Sequence, residues 1–247
     1  MRHAPMILRR PFRPLDSSDS PPASAPVLQR LRGRGLFWLR FVVLRFFLVM
    51  TGSVSIYALV NPPATWTMIG EARKHDLAAR GWAQLDDVAP AMRRAVVAAE
   101  DANFCLHWGF DMTEIRKVVA SGSSRGASTL TQQTAKNAFL WQTRSWGRKV
   151  LETALTPLIE ALWSKRRILE VYLNVAEFGP GIFGIHAAAR EHFGTTPDQL
   201  TAVQAARLAA VLPAPKSRSP ASASKRSRSI ADGAATIARD GRSHCFE

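Results

Sequence analysis

The sequence predicts a mainly α protein carried on one N-terminal transmembrane helix. Three observations predict it. Apolar residues recur every three to four positions through most of the chain beyond residue 86, the period of one helix face. No stretch shows a convincing period-two alternation, the mark of a half-buried strand. One run, residues 36–60, has the roughly 20-residue length that a bilayer demands. At 247 residues the chain has room for one large domain or two small ones, and 47% hydrophobic content supplies a core.

Residues 1–35 are rich in Arg, Pro and Ser and read as a disordered basic tail. Residues 36–60, LFWLRFVVLRFFLVMTGSVSIYALV, are interrupted only by Arg40 and Arg45. Both lie toward the basic end, where a long side chain can snorkel to the headgroups. Ser53, Ser55 and Ala58 are small, but no A-x-A cleavage site follows, so the run reads as an uncleaved anchor. Basic residues precede it and no similar cluster follows directly, which keeps the N-terminus cytoplasmic and the body outside. Asn61-Pro62-Pro63 ends the span, and 61–81 reads as a linker.

The body then proceeds helix by helix. Asp86 or Asp87 can cap a helix with Pro90 in its first turn, and Met92, Ala95, Val96 and Ala99 form its apolar stripe. A helix follows over about Ser128–Phe139. Another runs from about Ser145 to Ser164, with Leu151, Leu155, Leu158 and Leu162 on one face and Pro157 predicted to kink it. Ile168–Asn174 continues helically, and FGPGIFGI makes a Gly-rich loop. Ala187–Phe193 and Thr201–Leu212 are Ala-rich helices, the second stopped by Pro213 and Pro215. Ile230–Ala238 is the candidate for a last helix.

Net charge is +14, which alone would suggest a nucleic-acid binder. Its distribution argues otherwise. Residues 61–215 hold seventeen basic against fourteen acidic residues, while 1–35 hold seven against two and 216–247 seven against three. The excess sits at the two ends, where it suits an anionic membrane surface.

Three segments concentrate chemistry. The first, GASTLTQQTAKN, places Gln132 and Lys136 four apart, and likewise Gln133 and Asn137, so amides and a cation share one helix face. Ser128 and Thr129 precede them at a helix start whose free N–H groups attract anions. The same pattern also fits a polar helix with a good cap. In the second, EDANFCLHWGFD, Glu100 ends an apolar helix. Burial and the helix dipole both push a carboxyl there toward proton-accepting range. Most Glu-Asp pairs are merely solvated helix ends, and a lone His107 is more often structural than a base. In the third, RKVLE, Arg148 and Lys149 stand four and three residues from Glu152. That is either an exposed ion pair or a cationic patch able to hold a diphosphate.

Taken in chain order, EDANFCLHWGFD at 100–111, GASTLTQQTAKN at 126–137 and RKVLE at 148–152 resemble the family 51 glycosyltransferases that polymerise peptidoglycan, specifically their monofunctional biosynthetic members. Two further stretches extend the likeness: KRRILEVYLNVAEFGPGIFGI at 165–185 and LTAVQAARLAAVLPAP at 200–215. The match covers about 82–215, the glycosyltransferase domain, and leaves 216–247 as a basic extension. A second domain for peptide crosslinking is not expected.

The resemblance implies a lysozyme-like lobe with a smaller membrane-contacting jaw. It implies a general base at Glu100, taking the proton of the acceptor sugar 4-hydroxyl, and a second catalytic carboxylate at Glu152. Lys136, Arg148 and Lys149 match donor-site cations, with Lys117 near another. Ser128, Thr129, Gln132, Gln133 and Asn137 match the polar wall of the cleft. Phe104, His107 and Gly109 are structural around Glu100. No cofactor is certain; a divalent cation, Mg2+ or Mn2+, would sit at Glu152. The implied partners are lipid II, the growing glycan strand, the membrane and the cell-wall synthesis machinery, with no nucleic acid. The implied location is the bacterial inner membrane, single-pass, with the catalytic domain in the periplasm.

Phe139, Leu140, Trp141 and Trp146 are expected to face lipid, and Ser121–Ser124 to be flexible. Cys105 and Cys245 are the candidate disulfide, permitted outside the cytoplasm. The rivals are a lytic or hydrolytic enzyme acting on finished peptidoglycan and a non-enzymatic basic membrane or nucleic-acid binder. The cations discriminate against the first, because cleaving a neutral glycosidic link has no use for a diphosphate clamp.

Overall fold

The computed structural model describes residues 25–122 and 126–247, with side chains from residue 37 onward. The expected disorder over 1–24 and the expected flexibility of Ser123 and Ser124 lie outside the described residues. Helix α1 spans Ala25–Leu59, so residues 25–35 are helical, a correction to the irregular tail expected there. Gly and Arg within that stretch do not stop a helix that continues directly into an apolar run. Phe37–Leu59 is long and apolar enough to cross a membrane, with mean hydropathy 1.9. The chain divides after Leu48, and Val49–Glu247 forms one compact unit.

Within that unit, α2 (Trp66–Glu71) falls inside the expected linker. Then come α3 (Pro90–Glu100), α4 (Met112–Ser121), α5 (Leu130–Phe139), α6 (Trp146–Leu162) and α7 (Lys165–Val175). After a short hairpin, α8 (Ile185–Phe193), α9 (Ala202–Val211) and α10 (Lys225–Asp240) complete the described fold, which is mainly α. The hairpin pairs β1 (Glu177–Gly179) antiparallel with β2 (Ile182–Phe183) inside the predicted Gly-rich loop. Gly184 follows at φ +83, where a Cβ would lie 2.9 Å from the Asn174 carbonyl. Only glycine fits there.

Helix α7 is the axis of the body. Ile168, Leu169, Val171 and Leu173 are fully buried, and α5 packs along it. Its one buried amide is satisfied: Asn174 accepts from Ala83 N at 2.9 Å and donates to Ala83 O at 2.8 Å. Apolar burial of this kind contributes about 1.5–3 kcal/mol per large side chain. Helices α3, α9 and α10 pack on one another, with small Ala205, Ala206 and Ala209 bringing α9 close. Helix α6 runs unbroken through Pro157, where a kink was predicted. Helix α10 begins five residues before the predicted last helix, because Ser224 and Ser227 form a capping box.

Candidate active site

Glu100 is the last residue of α3, and its side chain is only 11% exposed. Burial is the largest influence on it and holds its carboxyl above the usual range. The Gln133 amide donates to Glu100 Oε2 at 2.9 Å and partly offsets that effect. Tyr172, fully buried on α7, donates its hydroxyl to Gln133 Oε1 at 3.3 Å, which fixes the amide's orientation. Glu100 Oε1 has no hydrogen-bond partner among the described residues. The cleft beside it holds about 930 Å³ and is lined by Glu100, Asn103, Ser128, Thr129, Gln133 and Arg226, among others.

The turn after Glu100 is pinned by its neighbour. Asp101 accepts from Leu130 N at 2.9 Å, filling a free N–H at the start of α5, and its other oxygen meets His107 Nε2 at 2.8 Å. Thr129 caps α5 and donates to Gly109 O at 2.7 Å. One helix start is thus fastened to both ends of the glutamate segment. Gln132 completes the capping box by accepting from Thr129 N at 3.1 Å. It lines neither of the site's two cavities, and its side chain serves the α5 cap.

The rest of that face does turn to open space. Lys136 and Asn137 line a second cavity of about 420 Å³, which shares Gln133 with the first. Burial lowers the affinity of Lys136 for its proton, while Glu152 and Glu100 act to retain it. Glu152, 3% exposed on α6, accepts from Arg148 Nη1 at 2.7 Å and from Lys149 Nζ. Lys149 also reaches Ser128 Oγ at 3.3 Å, so the third motif meets the second directly. Lys117 is not brought to this cluster. It stands exposed on α4, 3.8 Å from Glu114, and lines neither cavity.

A divalent cation does not fit at Glu152. Both its oxygens are engaged by cationic side chains, and no three His, Cys, Asp or Glu groups converge as a ligand set among the described residues.

The sequence reading missed one participant. Arg226, at the start of α10, stands 3.6 Å from Glu100 Oε1 and donates to Ala99 O at 3.4 Å. Glu100 therefore has a cationic side chain close by. The predicted lipid-facing group also divides. Trp146 is 88% exposed and Trp141 exposed, whereas Phe139 and Leu140 are buried. Phe139 packs between Tyr57 and Trp163, with ring centroids 5.5 and 6.0 Å away. Cys105 and Cys245 are joined in a disulfide.

The helical body sets one buried carboxylate, Glu100, at a cleft and holds a second, Glu152, among clustered cations, an arrangement in keeping with a glycosyl-transferring protein. The family profile described as Transglycosylase matches residues 67–238, wider than the expected 82–215 at both ends, and the chain belongs to that family. It is 52% identical over 226 residues to a biosynthetic peptidoglycan transglycosylase of a Jannaschia species, covering 90% of this chain and 92% of that protein. Proteins of the same description from Caulobacter vibrioides and Pseudomonas aeruginosa are 42% and 48% identical. The first of these alignments covers 84% of this chain and 96% of its relative, the second 74% and 83%.

Proposed function

We propose that the chain polymerises lipid-linked disaccharide-peptide precursor into β-1,4-linked glycan for the bacterial cell wall. Glu100 takes the proton of the acceptor 4-hydroxyl. The freed oxygen forms a bond to the donor's anomeric carbon as that carbon's bond to the phosphate oxygen breaks. The electron pair leaves with the polyprenyl diphosphate, and the configuration inverts from α to β. Burial supports the base role, since a carboxylate held above its usual range accepts a proton more readily. Lys136, Arg148 and Lys149 neutralise charge growing on the diphosphate, which cations in a partly dry site do well. Glu152 keeps Arg148 and Lys149 oriented for that task.

The observation that carries this reading is the pairing of Glu100, a cleft-lining carboxylate with one buried oxygen lacking a hydrogen-bond partner among the described residues, and a separate cation cluster around Glu152. A lytic enzyme would need the first and not the second. The exposed Trp141, Trp146 and Val150 support a jaw that rests on lipid, where the carrier's tail stays embedded. The arginines before and within the N-terminal span support a cytoplasmic N-terminus and a periplasmic body in the inner membrane.

Labelled lipid-linked precursor should yield muramidase-sensitive polymer. Glu100→Gln should lower the rate by about 10²–10⁴-fold while still binding precursor. Polymer formed by that variant at near the wild-type rate would overturn the base assignment.

A further inference from the structure

We infer that the first turn of α10 holds a carboxylate-binding subsite for the incoming precursor: Lys225 and Arg226 grip an anionic end of the acceptor's peptide while its sugar hydroxyl meets Glu100. The subsite rests on the reading of Glu100 as the base. It gives the basic 216–247 extension a role beyond the membrane surface.

The cleft beside Glu100 carries its charge unevenly. Two of its acidic side chains are already engaged. Asp101 accepts from Leu130 N and meets His107, and Asp111 accepts from Asn103 Nδ2 at 2.8 Å and from Glu114 N at 2.9 Å. The basic residues that line it are Lys225 and Arg226, consecutive on α10, with Ser229 one turn further on. Lys225 is exposed and makes no hydrogen bond or ion pair among the described residues. Arg226 is 41% exposed, and its 3.6 Å approach to Glu100 is too long for a hydrogen bond. Its guanidinium has five N–H donors and commits one to Ala99 O. Two adjacent cations with donors still available suit a planar oxyanion, which a guanidinium meets with two parallel bonds.

These cations stand on a fixed platform. Helix α10 packs along both α3 and α9, and its Ile230 and Ile237 are buried. Gly233 lies so close to α3 that a Cβ there would approach Ala98 Cβ to 3.3 Å. Groups held ready in this way lose less freedom on binding than groups on a mobile loop.

The acceptor brings two kinds of anion, the diphosphate of its carrier and the carboxylates of its peptide. The diphosphate stays near the lipid that holds its tail. Exposed Trp141, Trp146 and Val150 lie just before and within α6, the helix that also carries Arg148 and Lys149. Lys136 lines the other cavity, and Arg148 and Lys149 hold Glu152. The site thus has two separate cation groups. The one on α6 and α5 serves diphosphate, and the one on α10 is left for the peptide.

The test supplies the full-length membrane-reconstituted chain with a labelled glycan strand on its polyprenyl carrier as donor. Two acceptors are compared, precursor with its peptide carboxylates free and precursor with them amidated. For the wild type, amidation should raise the acceptor KM by about 10–100-fold and leave kcat nearly unchanged. The double variant Lys225→Gln, Arg226→Gln should show the raised KM with the free acceptor, and amidation should raise it no further. Arg226→Lys should recover part of the preference. A purely structural role, or an effect of Arg226 on Glu100 alone, would slow both acceptors alike. A wild type that treats the two acceptors equally, or a double variant that keeps the full preference, overturns the subsite. Equal losses on both acceptors assign the cations to the diphosphate or to Glu100 and overturn it too. Should the double variant not fold, the partnerless Lys225→Gln decides by the same comparison. A wild type that extends no strand with either acceptor fails the functional reading. The subsite is then judged on equilibrium binding of precursor, and equal affinity for the free and amidated forms sinks it.

Discussion

At the scale of single residues, Glu100 carries a conflict that is measurable apart from catalysis. Its carboxyl is held above the usual range by burial, so its folded-state pKa exceeds its unfolded one. Such a group contributes stability below the unfolded pKa and loses it as pH rises through the folded value. At neutral pH the ionised form therefore costs stability, and Glu100→Gln should melt higher than wild type at pH 7. The gap should shrink as pH falls toward the ordinary glutamate range. Equal melting temperatures at both pH values would remove burial as the dominant influence. Gln133 acts in the opposite sense. Its amide favours the charged form, so Gln133→Ala should move the acid limb of the rate to higher pH. Glu100 and the RKVLE cations were legible only through the order of several motifs along the chain, because each alone reads equally well as a solvated helix end or an exposed ion pair. Arg226 was not, since nothing in a Ser- and Arg-rich tail marks which arginine folds back 126 positions to Glu100.

At the scale of elements, α5 organises the site. Its first turn is held by the Thr129 cap, the Asp101 carboxylate and the Thr129–Gly109 bond, and its second turn presents Gln133 and Lys136. Thr129→Ala removes a cap worth about 1 kcal/mol and leaves the buried Gly109 carbonyl unpaired at about 1–3 kcal/mol. A loss of about 2–4 kcal/mol is expected in denaturant unfolding, with Thr129→Ser recovering most of it. A loss below about 0.5 kcal/mol for the alanine variant would mean that the two bonds are idle. This helix could be read locally because the Thr-x-x-Gln code and its amphipathic face agree. The start of α10 was harder to read, because its capping box uses Ser227 where a Glu or Gln usually marks the motif. Helix α6 continues through Pro157, where local chemistry predicts a kink, and buried Leu155 and Ile159 flank that position.

At the scale of the whole molecule, the end of α1 belongs to the catalytic body. Val54 is fully buried, Trp163 Nε1 donates to Val54 O at 2.8 Å, and Arg167 donates to the carbonyls of Tyr57 and Val60. Arg167 also pairs with Glu170, whose carboxylate accepts from Trp82 and Leu85 N, so the contact reaches the segment leading into α3. Hydropathy could place an anchor over 36–60, but it reads every apolar residue alike and could not separate lipid-facing positions from Val54. Two shortened chains test the difference. One beginning at Val49 keeps these contacts and should melt within a few degrees of the full-length protein in detergent. One beginning at Asn61 loses a buried valine, about 1.5–3 kcal/mol, and strands the Trp163 and Arg167 donors at about 1–3 kcal/mol each. It should melt well below the first and turn over precursor more slowly even in detergent, where no bilayer is needed to hold enzyme and substrate together. If both chains melted alike, α1 would serve only as a tether. If only the second fails, the anchor's last turns are part of the enzyme, and the wall that carries Trp163 and Arg167 is set by the same helix that enters the membrane.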